Sequence, residues 1–137
     1  RSDLESLAVK LPSNVKWSFE GHLSYENLMK TYSDQHWTCF LHMSESEGLP
    51  LALVEAMSFG IPVIACDVGG VREIVSNDEG LLLDPDPNLD DVVELINKMN
   101  SDPDLIRKKS EAARSKFLAD FEATKNYEFF VGQILDT

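Results

Sequence analysis

Thr38-Cys-Phe-Leu-His-Met43, Ser44-Glu-Ser-Glu-Gly48, Leu49-Pro-Leu-Ala-Leu-Val-Glu-Ala-Met57 and Pro62-Val-Ile-Ala-Cys66 follow one another almost without interruption, and their order decides the architecture. The first is a short apolar run with β-branched and aromatic content, which reads as a buried strand. Ser44 to Gly48 break it. Leu49, Ala52, Leu53, Ala56 and Met57 then fall at the i, i+3, i+4, i+7, i+8 spacing of one core-facing helical stripe. Pro50 suits the first turn of that helix, while Gly60 and Pro62 stop it. Strand, glycine-containing turn, helix and second strand make a βαβ unit. In an open parallel sheet, ligands sit beyond the carboxyl ends of the strands, where Glu47 and Gly48 fall.

The residues around that turn have a chemistry of their own. Free N–H groups and the positive dipole end at a helix start favour an anion, by roughly 0.3 to 1 kcal/mol when exposed and up to about 2 when partly buried. A diphosphate fits there, and Gly48 removes a Cβ that would obstruct its approach. Glu55 lies off the apolar stripe. Helical side chains lean toward the N-terminus, so its carboxylate can reach over the mouth of the site and accept protons from a vicinal diol such as a ribose. Charged hydrogen bonds of this kind are worth about 1.5 to 3 kcal/mol each.

Ser44-Glu-Ser-Glu-Gly48, Glu55-Ala-Met57, Gly60-Ile-Pro-Val-Ile-Ala65, Val68-Gly-Gly-Val71 and Arg72-Glu-Ile-Val75 together resemble the signature of the retaining GT-B glycosyltransferases of family 4, the glycosyl transferases group 1. Gly80-Leu-Leu-Leu-Asp84 and the following Asp84-Pro-Asp-Pro87 resemble that family's next strand and its exit. Upstream, Asn14-Val-Lys-Trp-Ser-Phe-Glu-Gly21, Leu28 and Tyr32 resemble the strand and helix before the motif, so the resemblance covers about residues 14 to 100. It implies a Rossmann-like C-terminal donor domain. By the same resemblance Glu47 is the catalytic-site acid against the donor sugar, and Glu55 holds the nucleotide ribose. Gly48, Leu49, Pro50 and Leu51 offer backbone to the diphosphate, and Ser44, Gly69 and Gly70 join the donor site. The implied reaction moves a sugar from a UDP- or GDP-sugar to a glycan, lipid or small-molecule acceptor with retention, and no cofactor is expected. Such chemistry depends on stabilising leaving-group charge and holding the acceptor close.

Each residue has a plainer reading beside this one. Glu47 can be a loop acid and Glu55 a solvated helix acid. Gly69-Gly70 can be a tight turn only, Ser44 and Ser46 can cap backbone groups, and Arg72 and Glu73 read as an exposed face. His22 follows the first apolar run on the expected ligand side. His36 sits in a polar turn, His42 within a strand where ordinary packing is the expectation, and Trp17 and Trp37 read as core or packing residues. No spacing of His, Cys or Asp reads as a metal site.

The rest of the chain predicts helices near Asp3–Leu11, Tyr25–Tyr32, Leu51–Phe59, Val71–Val75, Leu89–Asn100, Pro103–Ala119 and Thr124–Leu135. Strands are predicted at Val15–Phe19, Thr38–Met43, Pro62–Cys66 and Leu81–Leu83. That alternation argues for an α/β fold, a parallel sheet with helices on both faces, in a single domain over residues 1–137. The implied family domain has two further strand-helix units upstream, carrying a basic pair that clamps the diphosphate, and Arg1, Lys10 and Lys16 do not fill that role. The chain is therefore expected to belong to a larger enzyme with a separate N-terminal acceptor lobe, and to be inert alone. The alternative is a non-catalytic nucleotide-recognition or interaction module that requires a partner chain; a related epimerase lacks support in the motif spacing.

With 24 acidic against 12 basic residues, polyanions such as nucleic acid are repelled. Lys98, Arg107, Lys108, Lys109, Arg114 and Lys116 gather on the late helices, as a solvated face would. No apolar run approaches a membrane span. Cys39 and Cys66 lie in buried-strand patterns and suggest reduced thiols in a cytoplasmic protein.

Overall fold

The structure is a computed structural model that describes residues 2–135. Arg1, Asp136 and Thr137, and with them the Arg1 reading and the ends of the domain expectation, lie outside the described residues.

Three strands, β1 (Phe40–His42), β2 (Val63–Cys66) and β3 (Gly80–Leu83), form a sheet in the order β1-β2-β3. Both pairings are parallel, with Leu41 opposite Ile64 and Ile64 opposite Leu81. The helices are α1 (Ser2–Ala8), α2 (Tyr25–Asp34), α3 (Leu51–Ser58), α4 (Val71–Ile74), α5 (Leu89–Ser101), α6 (Pro103–Lys116) and α7 (Ala123–Leu135). A π-helical turn over Phe117–Phe121 separates the last two.

Side chains alternate across a strand, and β2 uses both directions. Val63 and Ala65 pack with Leu53 and Met57 of α3, Val71 and Ile74 of α4, and Ala113 of α6. Ile64 and Cys66 pack on the other side with Leu83, Val92 and Met99, the last two from α5. All four β2 residues are buried, which explains why Val63-Ile-Ala-Cys66 is apolar without interruption. The α/β architecture with helices on both faces is therefore present.

Local signals set the helix ends. Ser24, Asn88 and Asp102 accept hydrogen bonds from the N–H groups of Asn27, Asp91 and Leu105, each three residues on. Gly60 turns the chain after α3 at φ +68, with its N–H on the Met57 carbonyl and that of Ile61 on Ala56. Asp102-Pro103 opens α6 as cap and first residue.

Four expectations need correction. Val15–Phe19 is not a strand: residues 15–20 run without ladder pairing, and Val15 and Trp17 are both exposed. Its alternating pattern is strand-like, but the segment forms no ladder with β1 or β3, the two edge strands of the sheet, and so remains unpaired. Leu49 does not join the apolar stripe, because α3 begins at Leu51; Leu49 is exposed, and Leu53, Ala56 and Met57 carry the burial. Trp17 and Trp37 are surface residues, Trp17 beside Phe19 and Trp37 donating its Nε1–H to the Thr31 carbonyl at 3.3 Å. Lys109 leaves the solvated face: it is 6% exposed, and its Nζ donates to the carbonyls of Asn77 at 2.7 Å and Gly80 at 2.8 Å. It thereby ties α6 to the turn before β3.

Candidate functional site

Because β1 and β2 are parallel neighbours, the loops leaving their carboxyl ends lie side by side. One is residues 43–50, carrying Ser44, Glu47 and Gly48 into α3; the other is residues 67–70, leading into α4. Their contact is close. The Gly70 N–H donates to the Gly48 carbonyl at 2.9 Å. A Cβ on Gly70 would stand 2.3 Å from that oxygen, and one on Gly69 would stand 1.9 Å from the Glu47 carbonyl oxygen. Gly69 also has φ +52, a conformation that side chains disfavour. The two glycines therefore press backbone to backbone against the Glu47-Gly48 peptide and form its floor. Gly48 presents the opposite situation, since a Cβ there would meet nothing within 4 Å. One side of this loop is supported, and the other is open.

Glu47 is fixed above that floor by two neighbours. His42, the last residue of β1, places its Nε2 at 2.9 Å from Glu47 Oε1, and the side chains are 15% and 24% exposed. The Ser44 hydroxyl lies beside the same carboxylate and stabilises its charge. Ser44 is the largest cause holding the Glu47 carboxyl below its ordinary value; desolvation opposes it, and the hydrogen bond and charge of His42 reinforce it. Glu47 is accordingly an anion at neutral pH, an acceptor only, and the ring nitrogen facing it must carry a proton.

The helix after the loop begins without a side-chain cap. Pro50, buried, occupies the cap position of α3 and offers no side-chain hydrogen bond to the first turn. Leu51 is 66% exposed, and Glu55, four residues on, shares its face one turn further along. Glu55 is half-buried and close enough to Tyr32 for its charge to be felt there. The Tyr32 hydroxyl is pushed above its ordinary value, first by burial and then by Glu55. Tyr32 packs against Phe40 and Phe59 at ring distances of 6.2 and 5.8 Å, so α2 walls the outer side of α3 next to Glu55.

Of the sequence-predicted residues, Ser44, Glu47, Gly48, Gly69 and Gly70 come together in one loop pair. Leu49, Pro50, Leu51 and Glu55 line the helix start beside it. Arg72 and Glu73 are exposed, as expected, with Arg72 paired to Asp67 at 2.5 Å. His22 and His36 are exposed. His42 was read as ordinary packing, and its bond to Glu47 was missed; the available signal was its place at the end of a strand on the ligand edge. A cleft of about 600 Å³ between Trp17 and Trp37 is lined by neither Glu47 nor Glu55 but by the unpaired segment 15–20, with Lys16 and Glu20, and by α2. Among the described residues, no group of three or more His, Cys, Asp or Glu converges on a metal position.

A family model described as glycosyl transferases group 1 matches residues 1–116. The sulfoquinovosyl transferase of Arabidopsis thaliana is 33% identical over 105 residues, which cover 74% of this chain and 19% of that protein. Sucrose-phosphate synthase from Thermosynechococcus elongatus superposes with a TM-score of 0.77 at 24% identity, over 99% of this chain and 35% of that one. Anabaena HepE, solved in complex with UDP-glucose, superposes with a TM-score of 0.73 at 20% identity, over 99% of this chain and 36% of that one. The chain spans about a fifth of the length of the first curated relatives it matches, 20% and 19%.

Proposed function

The chain belongs to the glycosyl transferases group 1 family, and from that premise we propose that it is the donor-binding domain of a longer enzyme. That enzyme transfers a sugar from a nucleotide sugar to an acceptor hydroxyl with retention of configuration. The observation that carries this reading is the Glu47 loop: an anionic side chain fixed by His42 and Ser44, backed by Gly69 and Gly70, open at Gly48, and leading into an uncapped helix start.

In this reading the open backbone from Gly48 to Leu51 receives the diphosphate, whose departing charge the α3 dipole stabilises. Glu55, one turn along, accepts the ribose hydroxyls. Glu47 lies against the donor sugar, oriented for the oxocarbenium-like stage of the transfer. Gly69 and Gly70 act through the loop they support and not by direct contact. The acceptor, whether glycan, lipid or small molecule, is read by an N-terminal lobe, and the isolated chain is inactive. Two free cysteines suit a reducing compartment such as the cytoplasm, and no helix among the described residues is long and apolar enough to cross a membrane.

The complex of HepE with UDP-glucose makes a UDP-sugar the first donor to try, with GDP-sugars beside it. Calorimetric titration with UDP, GDP and their sugar conjugates, alongside a Glu55→Ala variant, tests the site. Saturable binding that the variant loses supports it. Binding in the full-length protein without transfer to any acceptor would favour a nucleotide-recognition module instead, and no binding by either protein would overturn the reading.

A further inference from the structure

His42 sits where a strand, a core and a functional carboxylate meet. Its backbone is fixed in the sheet, with Cα paired to Ala65 of β2. Strand periodicity puts it on the same face as Phe40 two residues earlier, and the two rings lie 6.3 Å apart at an interplanar angle of 22°. Phe40 in turn packs against the cluster that includes Leu53 and Met57 of α3. The imidazole plane is thus set by elements that are themselves rigid, while Glu47 hangs from a loop. A glutamate on a loop has three rotatable bonds, and one oxygen at 2.9 Å from a fixed donor removes most of that freedom.

We propose that His42 is the positioning residue for Glu47: its Nε2–H holds one carboxylate oxygen so that the other is aimed at the donor sugar. This rests on the functional reading above. Packing alone does not account for the residue, because a phenylalanine would fill the same space and stack on Phe40. The distinguishing atom is Nε2, and it points at the one anion of the loop that Ser44 also binds. Two donors from different positions in the chain converge on Glu47, and only His42 belongs to the sheet. It is the link that carries the rigidity of β1 and β2 into the site.

Substitutions separate this role from a structural one by reach. Glutamine places its amide nitrogen near the position of Nε2, asparagine near that of Nδ1, and phenylalanine keeps the stack with no donor. Full-length His42→Gln should retain turnover within about 3-fold of wild type, whereas His42→Phe and His42→Asn lose roughly 10- to 100-fold in kcat with donor KM little changed. Nitrogen-15 NMR of the wild-type ring should show a proton on Nε2. The Glu47 carboxyl titration should stay low in His42→Gln and move upward in His42→Phe. Folding of each variant is read from its thermal melt. An unprotonated Nε2 in the wild type, or a folded His42→Phe as active as His42→Gln, overturns the proposal. A wild-type protein that transfers from no nucleotide sugar removes the functional reading, and with it the role for His42; failure of the variants alone removes only the latter.

Discussion

Gly70→Ala is the sharpest perturbation of the loop pair, because the geometry isolates one contact. Gly70 has φ −83 and ψ 9, on the negative-φ side open to alanine, so the substitution adds no left-handed penalty. The added Cβ would lie 2.3 Å from the Gly48 carbonyl oxygen and 3.3 Å from its carbon. Ordinary contact begins near 3.4 Å, so that peptide must retreat by about 1 Å, and the Gly70 N–H bond to the same oxygen stretches or breaks. Overpacking of this kind destabilises by about 1–3 kcal/mol. The effect on function is larger in proportion: a displacement of about 1 Å in a positioned group costs on the order of 100-fold in rate.

Gly60→Ala supplies the control. It imposes a left-handed alanine at φ +68 and a 3.1 Å approach to the Ser110 hydroxyl, costing about 1–2 kcal/mol in stability at a helix end that carries none of the donor residues. Urea melts and donor turnover of the full-length protein should therefore show both variants destabilised, with only Gly70→Ala losing turnover. A folded Gly70→Ala protein with kcat near wild type would refute the view that the glycine floor sets the position of Glu47 and Gly48.

The other expectations concern single side chains. Glu55→Ala should weaken nucleotide-sugar affinity by about 10- to 100-fold in calorimetry, the loss of one charged hydrogen bond; unchanged affinity removes Glu55 from the ribose. Glu47→Gln should lower turnover far more than nucleotide affinity, and a fully active variant removes it from the chemistry. Lys109→Met keeps the volume but strips donors from the carbonyls of Asn77 and Gly80, at about 1–3 kcal/mol for each group left unpaired, read by chemical denaturation with donor affinity unchanged. That lysine also carries a pH signature. Burial first, and Lys98 second, hold its amine below the ordinary lysine value, so the folded state releases its proton before the unfolded chain does. Wild-type stability relative to Lys109→Met should therefore rise as pH climbs from the folded-state value to the ordinary one, and stay level below it; a falling difference would contradict the burial.

The parts of this fold that the sequence made legible are those where one residue pattern has one physical solution. Val63-Ile-Ala-Cys66 is apolar at every position, which a strand covered on both faces tolerates, and Gly60 with Pro62 ends α3 where the backbone turns at φ +68. Val15–Phe19 failed for the opposite reason. Its alternation is local, but strand formation depends on pairing, and no local pattern reports whether a segment docks on an edge strand such as β1 or β3. Leu49 failed by two residues of helix phase, since Pro50 fills the cap position and the helix starts after it. Lys109 was invisible because lysine is the residue least expected inside; its burial depends on two carbonyls some thirty residues upstream in the chain.

The site divides along the same line. Glu47, Gly48 and Glu55 are picked out by the run of motifs around them, and the structure sets Glu47 and Gly48 in the loop before α3 with Glu55 in that helix. Gly69 and Gly70 were legible as a turn, yet their load comes from the parallel register: only when β1 lies beside β2 does the second turn press on the first, at distances that no side chain fits. His42 was read as a packing residue because strand position predicts packing, and packing is half of what it does. The Phe40 stack fixes the ring, and the fixed ring fixes Glu47. A position that satisfies the core on one side and a loop carboxylate on the other leaves no separate mark in composition or periodicity. It becomes visible only when the loop that follows the strand is seen to fold back over the strand's last residue.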